Sequence, residues 1–326
     1  MQINSSNFET PILLITFNRP EHIRKVFEEI KKQKPLYLFV FQDAARAGNN
    51  ADIVNCSAVR DVLSEPLDWD CELKTFYAQN NLGCGRGPSS AITWFFENVE
   101  QGVIFEDDCL PHPDFFQYCR QLLEEYKADE RVSFIAGSNF QNGIQRGDGS
   151  YYFSAGSYGT WGWATWRRSW NHFDYMLERI DKQEMKKLIK KYFIESRQKS
   201  FWLEIYENVK KDRYKETCWD YQFYFSCWQH NMAAIIPNRN LITNIGYDEQ
   251  GTHTFSDNHP AANVKSSAIL PLIKPAHFYV DKNADFYLQK CYTQPYEYGF
   301  EGFKRIPHRI NKRFKKLVGH EGKWLK

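Results

Sequence analysis

The sequence predicts an α/β fold in which a mostly parallel sheet is flanked by helices, followed by a helical and aromatic C-terminal half and a basic tail. Three observations support this class. Apolar, strand-like runs alternate with helix-like segments over the first 137 residues, which is typical of a parallel sheet covered on both faces. Aromatic residues make up 17% of the 326 residues, and Trp and Tyr concentrate after residue 150. The run from Lys304 to Lys316 is strongly cationic.

Apolar periodicity places the elements of the first half. Residues 12–17 are a β-favouring run, and Pro20 suits the first turn of a helix whose apolar residues recur at i, i+3, i+4 and i+7. The elements predicted next are strand 36–41, a helix through Val54, Val59 and Val62, strand 73–77, a glycine-rich turn at 83–87, helix 91–99, strand 103–105, helix 115–126 and strand 132–136.

The second half follows a less regular pattern. We expect a charged helical stretch between about residues 180 and 211 and a helix over 221–228. Two short strands, 233–236 and 241–245, then precede a polar loop that carries His253.

Charge and composition restrict the partners. The net charge of +2 is too small to indicate nucleic-acid binding. The first ten residues lack the pattern of a signal peptide, and no apolar run is long enough to span a bilayer, so we expect a cytoplasmic protein. Eight cysteines without a C-x-x-C pair indicate reduced thiols. The basic tail is amphipathic and suits peripheral contact with the inner face of the membrane, although a solvated tail fits equally well.

Three carboxylates, Glu106, Asp107 and Asp108, directly follow a buried strand; we call them the acidic triplet. In an open α/β sheet, ligands bind beyond the carboxyl ends of the strands. Carboxylates packed together repel each other, and a hard divalent cation such as Mg²⁺ or Mn²⁺ removes that repulsion while keeping positions open for phosphates. The alternative is a solvated acidic turn.

The order of strand, helix, strand and acidic triplet resembles the GT-A glycosyltransferases, and E-D-D is similar to the metal motif of the N-acetylglucosaminyltransferase I family. Cys218-Trp219-Asp220 resembles that family's W-D segment, and residues 251–255 resemble its S-H-G-x-F-F segment, with Thr254 where glycine is usual. The resemblance implies a GT-A type fold, a UDP-sugar donor, Asp108 as metal ligand, and Glu106 and Asp107 as supporting or donor-binding residues. It also implies His253 as a second metal ligand or a contact to the diphosphate.

Asp220 is the candidate catalytic base. Inverting transfer requires a group that takes the proton of the acceptor hydroxyl, and an aspartate at the start of an aromatic helix is partly desolvated. Desolvation raises the pKa of this carboxyl and a helix N-terminus lowers it, so the net direction stays open. A simple helix N-cap is the competing interpretation.

Residues at the ends of the first two strands are expected to hold the donor nucleotide. They are Thr16, Phe17, Asn18 and Arg19 after the first strand and Asp43 after the second. A salt bridge between Arg19 and Asp43 is the alternative. Arg86, within the glycine-rich turn, is expected to contact a phosphate or a sugar hydroxyl, with a plain helix entry as the alternative.

The aromatic run between residues 158 and 170 combines two expectations. Trp163, Trp166 and Trp170 fall at helical spacing and are expected in the core. Trp161 lies off that stripe and is expected to face a ligand. Trp219 is the second expected contact to the acceptor or the sugar.

We therefore expect a metal-dependent glycosyltransferase that passes a sugar to a glycan or lipid-linked acceptor in cell-surface glycan synthesis. Residues 1–256 would form the GT-A domain, with a nucleotide-sugar-binding half (1–137) and an acceptor-binding half (138–256), and residues 257–326 an extension with the basic tail. The alternatives are a nucleotidylyltransferase acting on sugar phosphates and a non-catalytic, membrane-associated protein that binds sugar nucleotides. The former normally carries a glycine-rich basic loop after its first strand, where this chain has Phe17-Asn18-Arg19-Pro20.

Overall fold

The computed structural model describes residues 7–155, 159–211, 218–247, 261–262 and 264–293. The predictions that concern His253, residues 251–255 and the basic tail lie outside these ranges.

Within them, one sheet of eight strands runs in the order β3-β2-β1-β4-β8-β6-β9-β7. Only β8 and β7 run opposite to the other six, because both pair antiparallel with their neighbours. The predicted α/β class with a mostly parallel sheet is confirmed. The strands of this sheet are β1 (Ile12–Thr16), β2 (Tyr37–Gln42), β3 (Glu72–Tyr77), β4 (Gln101–Glu106), β6 (Val132–Ala136), β7 (Tyr151–Ser154), β8 (Trp163–Trp166) and β9 (Ala233–Pro237).

Helices cover both faces of the sheet, and each face has its own hydrophobic core. β1 is buried at all five positions because it lies between β2 and β4 and contacts both cores. The helices are α1 (Pro20–Lys31), α2 (Asn50–Leu63), α3 (Gly83–Asn98), α4 (Asp114–Glu125), α5 (Arg167–Trp170), α6 (Lys182–Tyr192), α7 (Ser196–Lys210), α8 (Asp220–Gln229) and α9 (Lys282–Leu288), the last followed by a π-helical turn (Gln289–Thr293).

A small antiparallel ribbon forms beside the acidic triplet. β5 (Cys109–Pro111) pairs with β10 (Ile242–Asn244), and Asn244 lies opposite Cys109. The backbone amide of Ile245 also donates a 2.9 Å hydrogen bond to the carbonyl of Asp108. The ribbon therefore brings the chain after β10 directly against the end of the triplet.

The structure corrects several predicted elements. The glycines at 83–87 are the first turns of α3 and not a turn before it, and Pro88 lies inside that helix. Val54 is 66% exposed and does not belong to the buried face of α2. The stretch 180–211 is two helices, α6 and α7.

The helical interpretation of the Trp spacing was wrong, although the predicted burial is correct. Trp163 and Trp166 begin and end strand β8, and only Trp170 is helical. All four residues of β8 are buried, because the strand lies between β4 and β6 with both faces covered. Such a strand shows no alternation of polar and apolar residues, so the sequence pattern did not reveal it.

The sheet crosses the predicted boundary at residue 137. β8, from the second half, pairs with both β4 and β6 of the first half. The C-terminal segment is attached to the same sheet, since the amide of Asp281 donates a 2.8 Å hydrogen bond to the carbonyl of Phe153 in β7. Asp285 accepts hydrogen bonds from the Ser154 hydroxyl and the Ala155 amide.

Among the residues with described positions, none of the helices combines the length and apolar character required to cross a bilayer.

Candidate active site

The candidate site lies at the carboxyl ends of β1 and β4. These strands are neighbours in the sheet. On one side of them lie β2 and β3, and on the other side lie β8 and β6. In open α/β sheets, such a reversal of strand order forms a crevice beyond the strand ends, and ligands bind there. Ile15 pairs with Glu106 in register, so the β1 loop (Phe17, Asn18 and Arg19) and the acidic triplet border the same crevice.

Arg19 joins these two segments. Its Nη1 lies 3.2 Å from Asp107 Oδ1 and 3.0 Å from Asp108 Oδ2, and the three side chains are 9–15% exposed. The backbone amide of Phe17 donates a further hydrogen bond of 3.3 Å to Asp107 Oδ2. The alternative salt bridge between Arg19 and Asp43 was therefore wrong, since Arg19 pairs with the triplet.

Burial, reinforced by mutual repulsion, favours the protonated forms of Glu106 and Asp107. Desolvation, reinforced by the charges of Asp108, Asp107 and Asp220, raises the pKa of Glu106 to about 8. Desolvation also raises the pKa of Asp107 to about 6, although the Arg19 guanidinium opposes this shift. Ionising Glu106 and Asp107 together would therefore place buried negative charge beside Arg19 that is costly unless a further cation offsets it.

Asp220 belongs to the same electrostatic cluster, because its charge contributes to the raised pKa of Glu106. It is the first residue of α8, and Trp219 occupies the N-cap position, so the interpretation of Asp220 as the N-cap was wrong. Desolvation raises the pKa of Asp220 to about 6, and hydrogen bonds from backbone amides at the start of α8 lower it less than burial raises it. A carboxyl with this pKa is suited to accept a proton near neutral pH.

Gly246 lies so close to Asp108 that a larger residue at position 246 would displace the carboxylate. A Cβ atom there would lie 2.3 Å from Asp108 Oδ2. The next residue, Tyr247, is buried, and the Asp108 charge acts on its hydroxyl. The chain that follows β10 thus places its backbone against Asp108, the carboxylate predicted to bind metal. No sequence motif at Gly246 indicated this contact.

Asp43 holds the start of α3, and its predicted contact with the nucleotide stays a prediction. Its Oδ1 accepts hydrogen bonds from the amides of Ala44 and Leu82, and its Oδ2 from the amide of Gly83 and the side chain of Asn81, at 2.8–3.2 Å. These bonds use both oxygens to fix the start of α3. A nucleobase would have to displace one of these donors to contact Asp43.

The β1 loop is held by residues that the sequence did not single out. Asn18 donates to Asp52 at 2.8 Å, and the Arg46 guanidinium binds the same carboxylate. Arg46 also lies over the ring of Phe17, 5.7 Å from its centroid. Thr16 is buried, and its hydroxyl donates to the carbonyl of Phe41, so its contact is within the sheet.

Arg86 extends from the first turns of α3 towards the second half of the chain. Its guanidinium lies 5.4 Å from the ring centroid of Tyr175. The neighbouring thiol of Cys84 has its pKa raised by burial and by the charges of Glu106 and Asp43. The start of α3 therefore lies near the triplet, and the predicted phosphate or sugar contact of Arg86 stays a prediction.

The two predicted aromatic contacts differ in exposure. Trp161 is half-buried and packs edge to face on Phe140 and Tyr247, with ring centroids 5.4 and 5.8 Å away. Tyr247, on which Trp161 packs, is also the residue whose hydroxyl feels the charge of Asp108. Trp219 is 4% exposed and stacks on Trp163 at 5.7 Å, so it packs in the core, and a sugar would reach it only after neighbouring side chains moved.

The donor set of the triplet matches a hard divalent cation in chemistry. It offers carboxylate oxygens at a buried strand end, and the burial and like charges that raise the pKa values of Glu106 and Asp107 are costs that a bound cation would reduce. In the described ranges, however, no three His, Cys, Asp or Glu side chains already converge as a metal cage. Arg19 contacts the two aspartates instead.

A cavity of about 580 Å³ lies elsewhere, between α6 and α7, with Asp181, Lys182 and Glu207 in its wall. Neither the triplet nor Asp220 lines it. The candidate site is therefore identified by strand ends and charge, not by cavity size.

Comparison with known proteins gives only a distant likeness. No family model and no curated protein matches the sequence. UDP-glucose pyrophosphorylase complexed with UDP-glucose aligns with 10% identity over 50% of this chain and 78% of that chain, at a TM-score of 0.30. A cytidylyltransferase from Leptospira borgpetersenii serovar Hardjo-bovis aligns with 13% identity over 65% and 97% of the two chains, at 0.31. The 4-diphosphocytidyl-2C-methyl-D-erythritol synthase from Anaerococcus prevotii aligns with 8% identity over 53% of this chain and 78% of that chain, at a TM-score of 0.33. Similarity at this level assigns neither a family nor an activity, so the function has to be argued from the side chains of the site.

Proposed function

We propose that this chain is an inverting, metal-dependent glycosyltransferase that moves a sugar from a UDP-linked donor to an acceptor hydroxyl. One observation carries the proposal: the Asp220 carboxylate acts on Glu106, so a candidate base and the acidic triplet share one electrostatic environment at the switch point of the sheet. A single displacement at the anomeric carbon requires the base and the binding site for the leaving group to lie close together.

In this reaction Asp220 takes the proton of the acceptor hydroxyl while the acceptor oxygen attacks the anomeric carbon and the bond to the diphosphate breaks. The raised pKa of Asp220 makes its carboxylate a stronger base than an exposed aspartate. Asp108 would hold a divalent cation, Mn²⁺ or Mg²⁺, with Glu106 and Asp107 in support. The cation, when bound, offsets the negative charge that develops on the departing diphosphate.

The remaining residues hold the donor. The β1 loop borders the crevice, and its two tethers, to Asp107 and to Asp52, fix its shape before the nucleotide binds. Arg86 is suited to a phosphate or a sugar hydroxyl. His253 remains the proposed second metal ligand or diphosphate contact on sequence grounds.

A thermal-shift screen of nucleotide sugars with Mn²⁺ tests the donor, because a selective donor stabilises the folded state by mass action. Calorimetry with the Asp108→Ala variant tests the metal. We expect UDP-sugar binding that requires Mn²⁺ in the wild type and is lost in the variant, and Mn²⁺-independent binding in the wild type would contradict the assignment.

The same preparation tests the alternative of a nucleotidylyltransferase. Incubation with a sugar 1-phosphate and a nucleoside triphosphate should release no pyrophosphate if the protein is a glycosyltransferase. Pyrophosphate release that depends on both compounds would replace the proposed reaction by the alternative.

A cationic tail on such an enzyme suits a lipid-linked acceptor or a peripheral position at the inner face of the membrane. Sedimentation with anionic liposomes tests this proposal. We expect binding by the full chain and its loss on deletion of residues 304–326, and no sedimentation of the full chain would dismiss it.

A further inference from the structure

Arg19 binds the carboxylates of Asp107 and Asp108 in a nearly dry environment. Its side chain is 11% exposed, and the two aspartates are 9% and 15% exposed. Ion pairs that are screened so little by water are stronger than surface pairs, and hydrogen bonds between charged groups are the strong ones. The guanidinium is therefore a substantial part of what keeps these two carboxylates together.

One oxygen of Asp108, Oδ2, is enclosed from two sides. Oδ2 accepts the hydrogen bond from Arg19 at 3.0 Å, and the backbone of Gly246 leaves less space beside it than a methyl group needs. Oδ1 lies 3.5 Å from the thiol of Cys109. A cation that coordinates Asp108 through Oδ2 thus approaches an oxygen that Arg19 already holds.

We propose that Arg19 is the resident counter-ion of the acidic triplet and that it releases Asp108 to a divalent cation and turns to the diphosphate of the donor. This inference rests on the proposed function, because it presumes that a cation and a nucleotide diphosphate meet at the triplet. Contact with Asp107 keeps the guanidinium beside the crevice during the exchange. Arg19 then competes with the cation for Asp108 but assists it in holding the diphosphate.

Competition and assistance have opposite signs, which makes the inference testable by binding alone. Replacing Arg19 by Gln removes the competitor, so Mn²⁺ added without nucleotide should bind roughly tenfold more tightly. The same replacement removes a charged donor to the diphosphate, so UDP in saturating Mn²⁺ should bind roughly tenfold more weakly. A residue that only stabilises the fold would not shift the two affinities in opposite directions.

The experiment is calorimetric titration of Mn²⁺, and then of UDP, into the wild type and the variants Arg19→Gln, Arg19→Lys and Arg24→Gln. Arg24 is the matched control, since it lies on α1 and pairs with Glu65 at 3.0 Å with its side chain half exposed. We expect Arg24→Gln to behave as the wild type. Arg19→Lys keeps the charge but not the planar fork, so its Mn²⁺ affinity should lie between those of the wild type and Arg19→Gln.

Each outcome decides a different question. If Arg19→Gln binds Mn²⁺ no more tightly than the wild type, the exchange is wrong, while UDP binding that requires Mn²⁺ in the wild type still upholds the proposed function. If the wild type binds neither Mn²⁺ nor UDP, the proposed function itself fails. If Arg19→Gln does not fold in chelator, the Arg19→Lys comparison decides, and an affinity for Mn²⁺ equal to or below that of the wild type overturns the inference.

Discussion

Gly246 and Asp108 are in such close contact that a Cβ atom at residue 246 would lie 2.3 Å from Asp108 Oδ2. Real Cβ atoms do not approach an oxygen so closely, so Gly246→Ala has to displace the carboxylate. We expect at least a tenfold loss of Mn²⁺-dependent UDP affinity, measured by calorimetry, with the far-UV circular dichroism retained. Gly102→Ala is the control, since its Cβ would meet the ring of Phe95 in the core and should lower stability without changing the affinity of the folded protein. Wild-type affinity in Gly246→Ala would contradict the assignment of Asp108 as a ligand of the cation.

Asp220→Asn should slow turnover by about 10²–10⁴-fold, because the amide keeps the shape of the side chain but does not accept the acceptor proton. UDP-sugar affinity should remain near that of the wild type, since Asp220 does not hold the nucleotide in the proposed arrangement. Single-turnover rates and calorimetry on the same samples check both statements. Unchanged turnover would remove Asp220 as the base.

The pH dependence of turnover should show the ionisation of Asp220. Burial raises its pKa to about 6, and the base acts in its deprotonated form. Turnover should therefore level off above about pH 6 and fall about tenfold per unit of pH below it. A pH profile of single-turnover rates measures this limb, which the residual activity of Asp220→Asn should lack.

Glu106 should make the metal-free protein less stable as the pH rises. Its pKa in the folded state, about 8, is above the ordinary value of 4.5, so the folded state binds the proton more tightly than the unfolded state. This contribution to stability is complete below pH 4.5 and is lost as the pH rises through about 8. Relative to the wild type, Glu106→Gln should gain stability between pH 5 and 8 by urea denaturation in chelator. Glu97→Gln, at an exposed position of α3, should follow the wild type, and equal slopes for all three proteins would contradict the assignment.

Asp43→Ala should destabilise the fold by about 2 kcal/mol, because it leaves the first amides of α3 without their acceptor. Asp43→Asn retains one acceptor oxygen and should lose less. Urea denaturation measures both, with Asp61→Ala at an exposed position of α2 as the control. A loss no larger than that of Asp61→Ala would show that α3 does not depend on this carboxylate.

Much of the first half could be predicted because its signals are local. Pro20 does open α1, and the apolar residues behind it are buried. Strand β6 has the predicted bounds, 132–136, and the acidic triplet follows β4 as expected. Each of these features depends on the spacing of apolar residues, or on a residue that begins or ends an element, within about ten residues of chain.

The rest depends on contacts between residues far apart in the sequence. The glycines at 83–87 join α3 because Asp43, some 40 residues earlier, supplies acceptors for its first amides. Arg19 pairs with residues nearly 90 positions away, although Asp43 was the nearer acidic candidate. The closeness of Gly246 and Asp108 follows from the pairing of β5 with β10. Each strand pairs over only three residues, which is too short for a recognisable sequence pattern.

The pairing of β8 with β4 and β6 determines how this protein can enclose a substrate. A hinge between residues 1–137 and residues 138–256 would have to break the hydrogen bonds that join β8 to β4 and β6. The two halves are therefore expected to keep a constant spacing when a substrate binds. Covalent crosslinks between the two halves should therefore leave turnover unchanged.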